Sequence, residues 1–490
     1  MIVKPSASEI QTYAEQYSMI PLCREIYADI TTPIALLRKI AQVSDRYFLL
    51  ESVEGGERWG RYSFLGYDPI VHIVCKDHVI TTEYTDGRPA ETVTTDQPNE
   101  ILRAWMAQYQ APRIEGFPPF TGGLVGYYAY RMIGYAEPTL QLRSSDVDDF
   151  DLMLFDKVIA YDHLSQKINV IVNMKTDAIL ENYGTARAEI EKMIRLIRDP
   201  MPLPIVRKHC KPAFTCNVTK EEYCDIVNKT KQYIIDGDIF QAVLSRRFET
   251  PYTDSLLDAY RVLRTTNPSP YMVYLHRDDI ELMSTSPETL VRLRNGRLST
   301  FPVAGSRPRG ATKEQDLALE ADLLSDEKEL SEHNMLVDLG RNDIGKLSEF
   351  GSVEVTDYQM IHRYSRIMHI TSVVEGHIKP NFDAFDAISA LLPAGTLSGA
   401  PKIRACEIIE ELEPCARGIY GGALGYVDFT GNMDTCIAIR MAVKKNGCVT
   451  VQAGGGIVAD SIPENEYLES QNKAGAVISA IERAAEVDAD

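Results

Sequence analysis

The sequence predicts an α+β chain built on large antiparallel sheets. Three observations point there. Alternating apolar and polar runs lie beside runs with helical spacing. The two kinds are not interleaved in regular βαβ order. Tight-turn dipeptides, Asp86-Gly87 and Asn446-Gly447, adjoin the alternating runs. With 490 residues, 44% of them hydrophobic, the chain can bury a large core.

Taken in order, residues 69–83 alternate as a strand pair does, with Asp86-Gly87 as a hairpin-type turn, and 151–162 and 167–173 read as a second pair. Ile179, Tyr183, Ala186, Ile190, Met193 and Ile197 have helical spacing within 176–198. Four prolines in 199–212 suit an extended connector, dividing the chain into residues 1–200 and 213–490. Beyond it, 220–236 reads as helix, 239–248 as strand and 328–339 as helix. Residues 420–454 read as a β-meander turning at 430–432 and Asn446-Gly447. Pro463 suits the first position of a last helix running to about 485. Residues 122–127 and 421–426 echo each other, Gly-Gly-x-x-Gly-Tyr, either as related strands or as glycine-assisted strand packing.

A net charge of −19 argues against nucleic acid, and an anionic ligand would need locally supplied positive charge. No apolar run is long enough to span a membrane, and the first residues lack a signal-peptide pattern, so a cytoplasmic protein is expected. Nine scattered cysteines without a C-x-x-C pair indicate neither disulfides nor structural zinc. Nucleotide-binding glycine motifs are absent.

Candidate chemistry begins with carboxylates. Glu329 and Glu332, and again Glu466 and Glu469, are three residues apart on expected helices and so share a face. Each pair is either a solvated helix face or a seat for a hard cation such as Mg²⁺. Gly454, Gly455 and Gly456 end a strand, where amides can approach an anion or the chain simply exits. The run 393–401 places hydroxyls and amides before a helix. Alternation in 435–443 sets Arg440 among Cys436, Ala438 and Ala442, with room for a carboxylate ligand or a local salt bridge. His369 lies in an apolar strand, as a proton carrier or as a structural residue.

Together these segments resemble the chorismate-utilising enzymes, and among them the anthranilate synthase component I family. The likeness runs from about residue 45 to 484. It is carried by segment 49–64, Asn267-Pro-Ser-Pro-Tyr-Met272, Pro302-Val-Ala-Gly-Ser-Arg-Pro-Arg-Gly310, segment 332–343, segment 393–401, Gly418-Ile-Tyr-Gly-Gly422 and segment 452–456. The resemblance implies antiparallel sheets forming a sandwich flanked by helices. It implies Mg²⁺ at Glu332 and Glu469, with Glu466 and Glu329 beside them. Chorismate would touch Gly305, Ser306, Thr396, Tyr420, Arg440 and the amides of Gly454, Gly455 and Gly456. Ammonia would attack ring C2 as the C4 hydroxyl leaves, Glu329 serving as acid. His369 would then help remove the C2 proton as pyruvate departs.

Isochorismate-forming relatives carry a lysine where this chain has Gln241, and some aminodeoxychorismate synthases carry one where it has Ala304. Ser306 and Gly455 replace a more usual Thr and Ala. No cysteine sits between glycines, so ammonia is expected from a separate glutamine amidotransferase subunit in a heterotetramer. The resemblance further implies feedback inhibition by tryptophan at Glu51, Ser52, Pro270, Tyr271 and Met272. Alternatives are an aminodeoxychorismate synthase component I and a non-catalytic tryptophan-binding regulatory subunit.

Overall fold

The computed structural model describes residues 2–52, 60–200, 212–363 and 367–487. Most of the expected connector (201–211) and the middle of segment 49–64 (53–59) lie outside the described residues.

Two antiparallel sheets, of twelve strands each among the described residues, form the centre. Strand alternation builds the layers. Phe48 points between the sheets, where it meets Phe120 and Phe155, whereas Tyr47 and Leu49 point outward beneath helices. The Phe48 and Phe155 rings meet edge-on with centroids 4.7 Å apart, and truncating either to Ala should cost about 3–5 kcal/mol. Helices Pro33–Ile40, Ile179–Arg198, Leu257–Thr266 and Pro463–Glu482 cover one sheet through Ile190, Leu263 and Val477. Helices Pro98–Met106 and Ala384–Leu391 cover the other through Leu102, Phe385 and Ile388. The expected α+β sandwich flanked by helices is what forms.

Each sheet takes strands from both sides of the connector. In the first, Arg46–Glu51 pairs with Tyr271–Arg277, placing Glu51 opposite Met272. In the second, Gly123–Tyr128 pairs with Ala423–Asp428, Gly126 opposite Gly425. The two echoing segments are thus neighbours in one ladder.

Two expectations fail in an informative way. Residues 151–162 are not one strand: Phe150–Phe155 lies in the second sheet and Lys157–Asp162 in the first, divided at Asp156. The meander over 420–454 is two hairpins in different sheets. Ala423–Asp428 pairs with Met433–Ile437, then Met441–Lys445 pairs with Cys448–Ile457. The chain changes sheets between Ile437 and Met441, and Arg440 there adopts a left-handed backbone with φ 49°. Arg440 therefore sits at a corner, not within a strand as its alternation suggests. Local alternation cannot tell which sheet a strand will join.

Candidate active site

The corner, a bulge and two helices meet around one cleft. Helix Glu327–Gly345 starts at Asp326, whose carboxylate accepts from the Lys328 and Glu329 amides. That cap fixes the first turn and sets Glu329 and Glu332 on one face. Helix Pro463–Glu482 starts with Pro463 in its first turn and brings Glu466, Glu469 and Lys473 to the opposite wall. The Glu332 carboxyl is held above the usual carboxylate range by partial withdrawal from water. Glu329 and Glu469 push it the same way, with Lys328 and Lys473 opposing. Glu466 is raised too, by desolvation and then by Glu469, against the Ser461 hydrogen bond and Lys473. Carboxylates from helices more than a hundred residues apart in sequence thus repel one another across the cleft.

No three His, Cys, Asp or Glu side chains among the described residues form a ready-made metal cage. The donor chemistry still suits Mg²⁺, which uses one or two protein carboxylates and takes its other oxygens from water and substrate. The pressure of Glu329 and Glu469 on the Glu332 carboxyl is what such a cation would relieve.

Glycine lets backbone form the floor. Gly454 and Gly456 pair with Ser245 and Val243. A Cβ at Gly454 would lie 2.1 Å from the Leu244 carbonyl oxygen, and one at Gly455 would lie 3.1 Å from a Glu466 oxygen. The Met441–Lys445 strand covers this strand only as far as Val451, leaving that edge of the glycine run without a neighbouring strand. There Lys473 Nζ donates to the Gly454 carbonyl at 3.1 Å. Burial pushes the Tyr420 phenol up to about 12, with nearby Arg417 and Arg440 opposing.

Arg440 lines a cleft of about 370 Å³ with Asn465, Leu468, Glu469, Asn472 and Lys473. Among the described residues no carboxylate stands within ion-pair distance of its guanidinium, so the local salt bridge left open by the sequence does not form. Burial lowers its pKa, against the pull of Tyr420 and Glu469.

His369 lies in strand Ile367–His377, opposite Ser306. The register shifts between Ala304 and Ser306, where Gly305 bulges with φ 66°. The bulge turns the Gly305 carbonyl to accept from His369 Nδ1 at 3.1 Å. Hydrogen on Nδ1 makes Nε2 the basic nitrogen of the neutral ring. A Cβ at Gly305 would lie 3.2 Å from Glu329 Oε2, so bulge and acid wall are adjoining. Glu329 also lies 3.5 Å from Arg307. Ser306 itself is exposed.

Thr396 Oγ1 donates to Glu288 Oε1 at 2.9 Å. Burial pushes the Glu288 carboxyl up to about 7, against Thr396 and Lys473. Neither Glu288 nor Lys473 is evident from sequence reasoning. Lys473 leaves a faint signal, four residues after Glu469 on one helix, and its Nζ lies 2.6 Å from that carboxylate. Glu288 is one acid after a proline, and only burial makes it unusual. The two discriminating positions also line the site. Gln241 Nε2 lies 2.5 Å from where a Gly456 Cβ would be, and Ala304 adjoins the bulge.

A second cavity, about 170 Å³, opens between the sheets. It is lined by Glu51, Ser52, Pro270, Tyr271 and Met272, with Tyr62, Phe64 and Tyr426 among its aromatic walls. Glu51 is 5% exposed, and Arg264 donates to its Oε1 at 2.6 Å. Glu51 Oε2 and Ser52 Oγ are buried with no hydrogen-bond partner among the described residues. Orphan acceptors in an aromatic pocket suit the ammonium group of an aromatic amino acid.

A family model described as chorismate binding enzyme matches residues 47–479. Anthranilate synthase component 1 of Acetivibrio thermocellus is 45% identical over 99% of both chains. That of Pseudomonas aeruginosa is 45% identical over 96% of both. The crystal structure of anthranilate synthase component I from Streptococcus pneumoniae superposes with a TM-score of 0.77. It is 36% identical and covers 93% of this chain and 99% of that one. The chain therefore belongs to the chorismate-binding enzymes, in their anthranilate synthase component 1 branch.

Proposed function

We propose that this chain converts chorismate and ammonia to anthranilate, pyruvate and water, the step that opens tryptophan biosynthesis. The observation that carries the reading is one cleft holding a repelling acid wall, a corner arginine and a glycine floor. It belongs to a chain 45% identical from end to end to an anthranilate synthase component 1. Arg440 and the glycine amides bind carboxylate, supplying the positive potential that an acidic protein lacks overall.

Glu332 and Glu469, with Glu466 and Glu329 beside them, would hold Mg²⁺, whose charge would offset the ring carboxylate and the acid wall. Glu288 is better suited than Glu329 to protonate the leaving C4 hydroxyl. Near pH 7 much of it still carries its proton, and Thr396 orients it. Ammonia adds at C2 as that hydroxyl departs as water. His369 then takes the C2 proton at Nε2, the enolpyruvyl group leaves as pyruvate, and the ring becomes aromatic.

Ammonia comes from a separate glutamine amidotransferase subunit, the two chains forming a heterotetramer in the cytoplasm. The second cavity binds tryptophan as a feedback inhibitor. It joins Glu51 and Ser52 of the 1–200 region to Pro270, Tyr271 and Met272 of the 213–490 catalytic region.

The test mixes protein, chorismate, Mg²⁺ and ammonia and follows anthranilate fluorescence. Product that appears only with Mg²⁺ is expected. A stable aminated chorismate without anthranilate would instead mark an aminodeoxychorismate synthase. Tryptophan binding with no turnover would mark a regulatory subunit.

A further inference from the structure

The Glu51 pocket is not independent of a smaller, third cavity that holds Glu288 and Thr396, because strand Thr289–Arg294 lines both. Its first residue, Thr289, follows Glu288 and lines the cavity that holds Glu288 and Thr396. Farther along, Arg292 and Arg294 line the Glu51 pocket. Two side-chain contacts cross between them. Thr289 Oγ1 lies 3.0 Å from the Tyr271 hydroxyl, and Tyr271 forms the pocket wall. The Arg292 guanidinium lies over the Phe301 ring, 5.3 Å from its centroid, and Phe301 lines the Glu288 cavity.

The polarity of the first contact can be assigned. The Tyr271 hydroxyl has one hydrogen, and its partner Asp434 Oδ1, 2.7 Å away, accepts only. Tyr271 donates there, so Thr289 donates to Tyr271. Asp434 also receives Arg292 Nε at 2.9 Å. A ligand seated against Tyr271 and Arg292 competes for this network, and Thr289 is the member of it joined by a peptide bond to the acid. The pairing of this strand with Met433–Ile437 shifts register between Thr289 and Val291. A bulge gives that end of the strand freedom to move apart from the rest.

We propose that Thr289 is a positioning residue through which the Glu51–Tyr271 pocket controls Glu288. Ligand in the pocket draws on Tyr271, Thr289 loses its acceptor, and Glu288 leaves its Thr396 alignment. The idea rests on the pocket being the tryptophan site, and coupling of this kind acts in both directions.

Titration calorimetry with tryptophan, paired with kinetics at saturating tryptophan, tests it. Thr289→Val should bind tryptophan with little change. The inhibitor's effect on kcat/KM for chorismate should shrink by about 10-fold. Thr289→Ala removes the same hydroxyl with less bulk and should behave alike, whereas Thr289→Ser should keep full inhibition. Rescue by Ser alone distinguishes a positioning hydroxyl from a packing defect. If the parental chain binds tryptophan and the Val and Ala variants remain fully inhibited, the relay is overturned and the pocket stands. Failure of the parental chain to bind tryptophan overturns both.

Discussion

The two cavities achieve recognition by opposite physics. The Glu51 pocket is built by strand pairing. Arg46–Glu51 lies against Tyr271–Arg277 in a continuous antiparallel ladder, so Glu51 and Met272 meet through register alone. Its walls are mainly apolar and aromatic, and a few unpartnered polar atoms give it direction. The catalytic cleft is built by convergence. Two helices, a bulge and a corner between sheets bring like charges together, and Arg440 sits there without an ion pair among the described residues. The first region is shaped for a ligand before the ligand arrives. The second gathers carboxylates whose repulsion a bound cation would relieve. One sandwich can therefore hold a pocket made by strand packing beside a cleft made by converging charge.

That contrast can be broken most forcefully at Glu288. Glu288→Gln should lower kcat by on the order of 10²–10⁴-fold. Its acid form prevails below about pH 7, so parental turnover at constant free ammonia should fall as pH rises through that value. The Gln variant should lose that alkaline limb. Retention of both rate and limb would remove Glu288 from proton transfer.

A smaller effect is expected at the acid wall. Glu469→Gln or Glu332→Gln should raise the Mg²⁺ concentration required about 10–100-fold, read from activity against Mg²⁺ concentration. Tm should stay level or rise for Glu332→Gln, because a repelling charge is gone, and stay about level for Glu469→Gln, which also loses its half-exposed pair with Lys473. The sign follows from linkage. Glu332 and Glu466 have raised folded-state pKa values, so stability without cation falls as pH rises through the carboxylate range. Added Mg²⁺ should accordingly raise Tm more at pH 7 than near pH 5. A marked drop in Tm for either variant would show these acids to be structural.

The mildest catalytic consequence belongs to the pocket. Ser52→Phe should fill it, abolish tryptophan inhibition and leave anthranilate formation unchanged. A variant inhibited at the parental tryptophan concentration would separate this pocket from regulation.

Much of the framework is legible in the chain because it is local. Periodicity alone marks helix Ile179–Arg198 through Ala186, Ile190, Met193 and Ile197, and it likewise marks Lys220–Ile235 and Pro463–Glu482. The paired acids follow from those helices. Less legible are features that depend on which sheet a segment joins. The divisions at Asp156 and at the Ile437–Met441 corner are not marked by periodicity, since the strands flanking Asp156 are continuous apolar runs that could belong to either sheet. The echo at 122–127 and 421–426 leaves related strands and glycine-assisted packing both open, and only the ladder shows that the two segments pair with each other.

Residue types and spacing by themselves determined the α+β class, the helices that carry the acids and the family motifs, because hydrophobic periodicity and side-chain chemistry belong to each segment separately. The tertiary structure alone decided that Arg440 stands at a corner, that burial pushes the Glu288 carboxyl up, and that Thr289 lines the Glu288 cavity while reaching Tyr271 in the wall of the Glu51 pocket. Desolvation and proximity are properties of what surrounds a group, and those surroundings come from strands far away in the chain.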